Sequence, residues 1–404
     1  MGKTILFLAD GMADDALPEL GGKTPVQHAH TPNMDRIARD GASGTFLTLP
    51  AGFPTSSDVA NMSVLGYDLA KFYCGRGPLE AMSQEIDLAP DDVAFRCNLI
   101  YADGDTLVDY SGGHIEHDDA EQIMHDLAEA FNSQELSFFP GVSYRNLLIL
   151  HGSQFCDRVT YEKPDASQGM HIPDLLIKPA DDSKEARHTA DFVNRLQARS
   201  RAFLEEHPIN AARKEPANMI WPWSPGKRPR MTPFKQKYGA SGAVISAVDV
   251  IFGLGRCAGM DIIRVEGATG FVDTNYEGKA DAAVDALRTH DFVYLHVEAI
   301  DECGHMGDLK LKLQAIEDID RRLMGRVMEQ LEGQDITYLI LPDHPVPVHQ
   351  RIHTRDPVPV SISGPGISSD GCTFYSEIDA PNGSLGLMKG DELMKLAVRG
   401  TVAD

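Results

Sequence analysis

Ile5-Leu6-Phe7-Leu8-Ala9-Asp10-Gly11 is the stretch on which the reading of the fold turns. Five apolar residues in an unbroken run predict a strand covered on both faces, as in a parallel sheet. The run stops at an acid and a glycine. Open α/β sheets bind ligands beyond the carboxyl ends of their strands, so Asp10 is a candidate for chemistry. Similar runs recur at Gly242-Ala243-Val244-Ile245-Ser246-Ala247-Val248, at residues 291–297 and at residues 337–341. Helical patterns lie between them. Thr31-Pro32 opens a capped helix that Gly41 stops. Leu313, Ile316, Ile319, Leu323 and Val327 mark another. The alternation predicts an α/β fold on a doubly wound, largely parallel sheet.

The texture changes from about Ser83. Residues 91–100 read as a strand and residues 109–115 as a turn. Ala120, Ile123, Met124, Leu127 and Phe131 form an amphipathic helical face, and residues 142–150 read as a second strand. A polar stretch, 183–207, closes the group, and the main fold resumes near Asn218. This predicts an α+β unit inserted in the core: 1–82 and 213–404 for the core, 83–212 for the insert.

The 404 residues suffice for that arrangement, and 42% hydrophobic residues allow a sizeable core. A net charge of -23 argues against nucleic acid or an anionic membrane as partner. A small anionic substrate is compatible with it if metals or clustered Arg and Lys override the field locally. The six cysteines are scattered without a C-x-x-C pair and read as free thiols in a reducing cytosol. Met1-Gly2-Lys3-Thr4-Ile5 runs straight into the first strand, and no apolar run approaches a membrane span. Leu6 stands where an acylation signal needs Ser or Thr. The expectation is a cytoplasmic protein; no stretch specifies an oligomeric state.

Three predicted strand ends share one character. Asp10 follows the first. Glu298-Ala299-Ile300-Asp301-Glu302-Cys303-Gly304-His305 follows another, and Pro342-Asp343-His344-Pro345, with His349 and His353 beyond, follows the third. Parallel strands bring these ends to one rim. Asp301 and His305, one helical turn apart, share a side. Asp and His together suit Mn²⁺ or Zn²⁺. Two clusters suggest two ions: one on Asp301, His305 and a later histidine, the other on Asp10, Asp343, His344 and a serine oxygen. The serine comes from Pro54-Thr55-Ser56-Ser57-Asp58-Val59-Ala60-Asn61-Met62. Val59, Met62 and Leu65 can share one helix face, which puts a serine hydroxyl at a helix N-terminus. Free N–H groups and a partial positive charge there suit an incoming phosphate, although an ordinary N-cap has the same pattern. Two adjacent metals can clamp a transferring phosphoryl group.

Leu8-Ala9-Asp10-Gly11, Ser57-Asp58-Val59-Ala60-Asn61, Gly75-Arg76-Gly77-Pro78-Leu79-Glu80-Ala81, Ala94-Phe95-Arg96-Cys97-Asn98, Gly267-Ala268-Thr269-Gly270, Asp301-x-x-Gly304-His305 and Pro342-Asp343-His344-Pro345 follow one pattern, in order across nearly the whole chain. The sequence resembles the archaeal-type cofactor-independent (2,3-bisphosphoglycerate-independent) phosphoglycerate mutases of the alkaline phosphatase superfamily. The resemblance implies an alkaline-phosphatase-like core, its mostly parallel sheet sandwiched by helices, with an inserted phosphotransferase domain. It implies two divalent ions, Mn²⁺ favoured over Zn²⁺ or Mg²⁺, and a serine that is transiently phosphorylated while the glycerate reorients. Carried over position by position, that serine is Ser57, not Ser56. One metal falls to Asp10, Ser57, Asp343 and His344, the other to Asp301, His305 and His353. His349 matches no ligand position.

Substrate anions call for fixed donors, and Arg grips carboxylate and phosphate bidentately. Arg76, Arg96, Arg145, Lys227 and Arg228 are candidates, with Asn98, Asp109 and His114 on neighbouring insert segments. Arg96 stands out because an arginine in an apolar strand needs a partner. The pattern departs from the family at Lys163-Pro164-Asp165, where relatives carry Pro-His-Asp: Asp165 keeps its place and Pro164 replaces the histidine. His171 is nearby. The resemblance implies interconversion of 3-phosphoglycerate and 2-phosphoglycerate, with a small phosphorylated acid as substrate. The departure keeps a related phosphotransferase such as homoserine kinase in view. A metal-dependent hydrolase of phosphate or sulfate esters and a catalytically silent metal-binding scaffold are further rivals.

Overall fold

In the computed structural model, which describes residues 2–402, the apolar runs become the strands of one sheet. The chain forms two compact units: Met1–Tyr73 with Arg230–Asp404, and Cys74–Pro229.

The first unit holds β1 Lys3–Ala9, β2 Ala42–Phe46, β3 Gly242–Ser246, β4 Asp261–Arg264, β5 Phe292–Val297, β6 Ile336–Leu341, β7 Val358–Ser363 and β8 Gly386–Met388. Their spatial order is β4-β3-β5-β1-β6-β7-β2-β8. β1 pairs in parallel with β5 and β6, β3 with β4 and β5, and β8 with β2. β7 runs antiparallel to β6 and β2. The mostly parallel sheet is therefore as expected, with an added antiparallel strand toward one edge.

The helices that matter for the site are α1 Pro32–Asp40, α2 Ser57–Val64, α3 Tyr276–Ala286, α4 Ala299–Met306 and α5 Leu309–Asp318. Ile5 and Phe7 of β1 and Val293, Leu295 and Val297 of β5 share a core with Ile37 of α1, Ala280 and Ala283 of α3 and Ile316 of α5. Burying each large aliphatic or aromatic side chain contributes about 1.5–3 kcal/mol. α5 runs on through a π-helical segment, Ile319–Gly325. That segment offers the buried Asp320 carboxylate to the N–H groups of Asn33 (3.0 Å) and Met34 (2.8 Å), which satisfies free donors at the start of α1.

In the second unit the strand Val93–Asp103 pairs antiparallel with Arg145–Leu150 on one side and Met219–Gly226 on the other. Helices His117–Phe131 and Lys184–Glu205 bury apolar faces in its core. Three expectations need correction. The unit runs from Cys74 to Pro229 rather than over 83–212, because helix Arg76–Ser83 packs on its sheet through Ala81 and Met219–Gly226 is one of its strands. The single strand expected at 142–150 is a hairpin, turned at Ser143 with φ 55°. The polar stretch 183–207 is largely helix, with Ala186, Ala190, Val193, Leu196 and Leu204 buried at helical spacing.

All six thiols are free. Among the described residues no helix is long and apolar enough to cross a membrane.

Candidate active site

Three strand ends of the first unit carry the acidic and imidazole groups. β1 leads into Asp10, β5 into Glu298 and α4, and β6 into Asp343 and His344. Gly11 permits the convergence. Its φ is +66°, and a Cβ there would sit 2.5 Å from Asp301 Cα. Asp10, Asp301, Asp343 and His344 are buried.

His344 is the hub. Its Nε2 lies 3.5 Å from Asp10 Oδ1, 3.3 Å from Asp343 Oδ2 and 3.3 Å from Ser57 Oγ. Its Nδ1 lies 3.9 Å from Asp301 Oδ1. His353 Nε2 is 3.5 Å from Asp301 Oδ1 and 2.8 Å from His305 Nε2, which is itself 3.4 Å from Asp301 Oδ2. The seven expected residues thus form two adjoining groups, Asp10, Ser57, Asp343 and His344 against Asp301, His305 and His353. His349 lies apart, exposed beside Glu19 at 3.6 Å.

α2 presents the serine as the sequence suggests, with Val59 and Met62 buried beneath it and Ser57 in its first turn. Ser56 occupies the N-cap position, yet its hydroxyl caps no N–H and is buried without a hydrogen-bond partner. The cap-or-turn reading therefore holds for its backbone only. One turn on, Asn61 Nδ2 donates to the Ser57 carbonyl and to Asp343 Oδ2, each at 2.8 Å, while Asn61 Oδ1 accepts from the Tyr294 hydroxyl.

Burial, reinforced by Asp343 and Glu298, pushes the Asp10 carboxyl well above the usual carboxylate range. Burial followed by Glu298 does the same to Asp301, and burial lifts Asp343 to about 6. Burial, then His353 and His305, drives His344 well below the usual imidazole value. Asp10 Oδ1, Asp301 Oδ1 and His344 Nδ1 are buried without hydrogen-bond partners. Buried polar atoms are rarely left so, and mutually repelling carboxylates around the uncharged His344 suit a cation. The donor atoms of Asp10, Asp343 and His344 lie within 4.8 Å of one another, as do those of Asp301, His344 and His353. Carboxylate and imidazole at this spacing fit a divalent metal.

Supporting residues escaped the sequence reading. His296 and Glu298 cluster with Asp10. His296 signals itself only as a polar side chain inside the apolar β5, and Glu298 only as an acid in the stretch that follows that strand. Lys312, wholly buried on α5, donates to Asp14 Oδ2 and to the Val346 carbonyl, each at 2.8 Å. Asp14 Oδ2 also accepts the Val348 N–H at 3.1 Å. This ion pair ties down the loop that carries His344 and His353.

The substrate candidates all lie in the second unit. Glu80 Oε1 bridges Arg96 (2.9 Å) and Arg76 (3.5 Å). The Arg96 guanidinium lies 5.0 Å from the centre of the Trp223 ring, whose N–H donates to Asn98 Oδ1 at 3.0 Å. Burial lowers Arg96 to about 10, with Glu80 opposing and Arg76 and Arg145 adding to the fall. Arg145 covers the Tyr144 ring. Asp109 accepts from the Ser111 hydroxyl and the Ser111 and Gly113 N–H groups, shaping the turn that holds His114 at φ 50°. Asp165 lies in a short 3-10 turn after Pro164, and its charge reaches Tyr110. Lys227 and Arg228 sit apart from this group, facing Asp91 at 3.7 Å and Asp87 at 2.9 Å. His171 is exposed beside Asp174.

Fold and donor set define a metal-dependent enzyme, and the Metalloenzyme superfamily model matches residues 2–399. A 2,3-bisphosphoglycerate-independent phosphoglycerate mutase of Methanosarcina acetivorans is 44% identical over 404 residues, covering 98% of this chain and 100% of the relative. Another, mutase 2 of Methanothermobacter thermautotrophicus, is 44% identical over 98% of this chain and 96% of its own length. Among solved structures, the cofactor-independent phosphoglycerate mutase of Thermoplasma acidophilum matches 99% of both chains with 28% identity and a TM-score of 0.69. A Pyrococcus horikoshii protein matches 98% of this chain and 97% of its own with 28% identity and a TM-score of 0.84. The chain belongs to the 2,3-bisphosphoglycerate-independent phosphoglycerate mutase family.

Proposed function

We propose that this chain interconverts 3-phosphoglycerate and 2-phosphoglycerate in the cytoplasm, independently of 2,3-bisphosphoglycerate and through a phosphoserine on Ser57. The observation that carries the reading is Ser57 Oγ at 3.3 Å from His344 Nε2, in the first turn of a helix beside a buried carboxylate–imidazole cluster. Two ions, Mn²⁺ by preference, are assigned to Asp10, Ser57, Asp343 and His344 and to Asp301, His305 and His353. When bound, they favour the serine alkoxide and neutralise charge on the transferring phosphoryl group.

Ser57 Oγ gives up its proton and bonds to phosphorus as the bond to the glycerate 3-oxygen breaks, and that oxygen takes up one proton. The α2 N–H groups stabilise the phosphoryl oxygens. Glycerate turns, its 2-hydroxyl gives up its proton and bonds to phosphorus as the phosphorus–Ser57 bond breaks, and Ser57 Oγ takes up one proton. We assign Arg76, Arg96, Arg145, Asn98, Asp109, His114, Asp165, Lys227 and Arg228 to holding the acid, with Arg96 foremost. Water must be kept from the phosphoserine; otherwise the product is free phosphate. The departure at Pro164 supports a second reading, phosphoryl transfer to homoserine, which an assay with ATP and homoserine separates.

An enolase-coupled assay without 2,3-bisphosphoglycerate, with Mn²⁺ and then with chelator, tests the main reading. Mn²⁺-dependent 2-phosphoglycerate formation that Ser57→Ala abolishes is expected. Net phosphate release would mean a hydrolase, and activity surviving in Ser57→Ala would remove the serine from the mechanism.

A further inference from the structure

A buried hydrogen-bond chain ends on Asp10 and takes no part in the phosphoryl transfer itself. The Val248 N–H donates to Ser246 Oγ at 3.0 Å. Ser246 Oγ lies 3.0 Å from His296 Nδ1, and His296 Nε2 lies 2.9 Å from Asp10 Oδ2. All three side chains are buried.

The protons can be placed by direction. A metal-binding Asp10 is an ionised carboxylate that can only accept, so the hydrogen bond at its Oδ2 needs a proton on His296 Nε2. Nδ1 of the neutral ring then accepts from the Ser246 hydroxyl, whose oxygen in turn accepts the Val248 N–H. Glu298 Oε2, at 3.6 Å from the same nitrogen, is beyond hydrogen-bond reach. Lys279 of α3 donates to the His296 carbonyl at 3.2 Å. With Asp10 Oδ2 held in this way, Oδ1 is left buried without a hydrogen-bond partner and faces His344 Nε2 at 3.5 Å.

We infer that His296, held in its Nε2–H tautomer between Asp10 and Ser246, is a positioning residue that turns Asp10 so that one carboxylate oxygen binds the protein and the other faces the metal. The inference rests on the reading of Asp10 as a metal ligand. Hydrogen-bond partners behind a ligand orient it, and their loss typically costs about 10–100-fold in metal affinity. β5 does this twice: Tyr294, two residues earlier, reaches Asp343 through Asn61.

Calorimetric titration of Mn²⁺ into the chelator-treated full chain separates the possibilities. Wild type is expected to bind two equivalents. His296→Leu should weaken one of them by about 10–100-fold and leave the other nearly unchanged. His296→Gln, which retains an N–H donor, should recover most of the loss. Two equivalents in wild type and both at wild-type affinity in His296→Leu would overturn the inference alone. Failure of wild type to bind two would overturn the ligand reading beneath it. Long-range proton–nitrogen correlation on ¹⁵N-histidine-labelled wild type loaded with diamagnetic Zn²⁺ reads the tautomer without any variant. An Nε2–H ring is expected; an Nδ1–H ring would overturn the inference even if His296→Leu does not fold.

Discussion

Lys312→Met should be among the most damaging single changes in the first unit. The wild-type ammonium is wholly buried, paired with Asp14 and hydrogen-bonded to the Val346 carbonyl. The variant leaves the Asp14 carboxylate buried with only the Asp15 and Val348 N–H groups as donors. Removing one partner of a buried pair costs about 3–5 kcal/mol, and the carbonyl loses a hydrogen bond worth about 1 kcal/mol. The expected loss is about 4–6 kcal/mol. Lys312→Met/Asp14→Asn leaves no buried charge and keeps an acceptor for Val348, so about 1–2 kcal/mol should remain, a coupling of about 2 kcal/mol or more. Urea unfolding of metal-free protein measures the totals. Hydrogen exchange at the Val346 and Val348 amides reads the loop itself, with a rise of about two to three orders of magnitude expected in the single variant. A single variant within about 1 kcal/mol of wild type, or a double variant no better than the single, would refute the reasoning.

Other sites give equally direct expectations. Gly11→Ala should cost about 1 kcal/mol for its left-handed backbone, and more as its Cβ displaces Asp301; Mn²⁺ binding should weaken at least tenfold by titration. Arg96→Lys keeps the charge but loses the guanidinium's single hydrogen bond to Glu80 and its packing on Trp223. It should destabilise the second unit by about 1–2 kcal/mol, and tryptophan fluorescence isolates that unit because both tryptophans, Trp221 and Trp223, lie in it. In metal-free protein the raised carboxyls of Asp10, Asp301 and Asp343 mean that the folded state binds more protons than the unfolded one. Stability should then fall as pH rises from about 4 through about 6 and beyond, and calorimetric melting of the metal-free chain should be higher at about pH 5.5 than at about pH 8. Saturating Mn²⁺ should remove that difference, and a flat metal-free profile would contradict it.

What could be read from the chain follows from where its information is local. β1, β5 and β6 announce themselves as apolar runs, and Asp10, Asp301, Asp343 and His344 follow them within a few residues, so strand ends and most of the proposed metal groups are legible together. β2 is short and includes Ser43 and Gly44, and β7 holds Pro359, so the sheet's far edge left no apolar run to find. The end of the second unit was misplaced because Ile220, Trp221 and Trp223 look like a core strand resuming, and only their pairing with Val93–Asp103 shows otherwise. The helix Lys184–Glu205 was masked by its charges. The choice of Ser57 over Ser56 came from the family pattern, and the structure adds that only Ser57 has its hydroxyl hydrogen-bonded to His344. His296, Asn61, Tyr294 and Lys312 act through partners far away in sequence, and nothing local says which partner each one meets.

The central claim is that the phosphoryl group passes through Ser57. ³²P-labelled 3-phosphoglycerate, mixed with the Mn²⁺-loaded chain without 2,3-bisphosphoglycerate, quenched in acid and digested, tests it most directly. Label is expected on the peptide that carries Ser57 and in 2-phosphoglycerate, with neither in Ser57→Ala. Label appearing only as free phosphate, or labelled 2-phosphoglycerate still formed by Ser57→Ala, would contradict it.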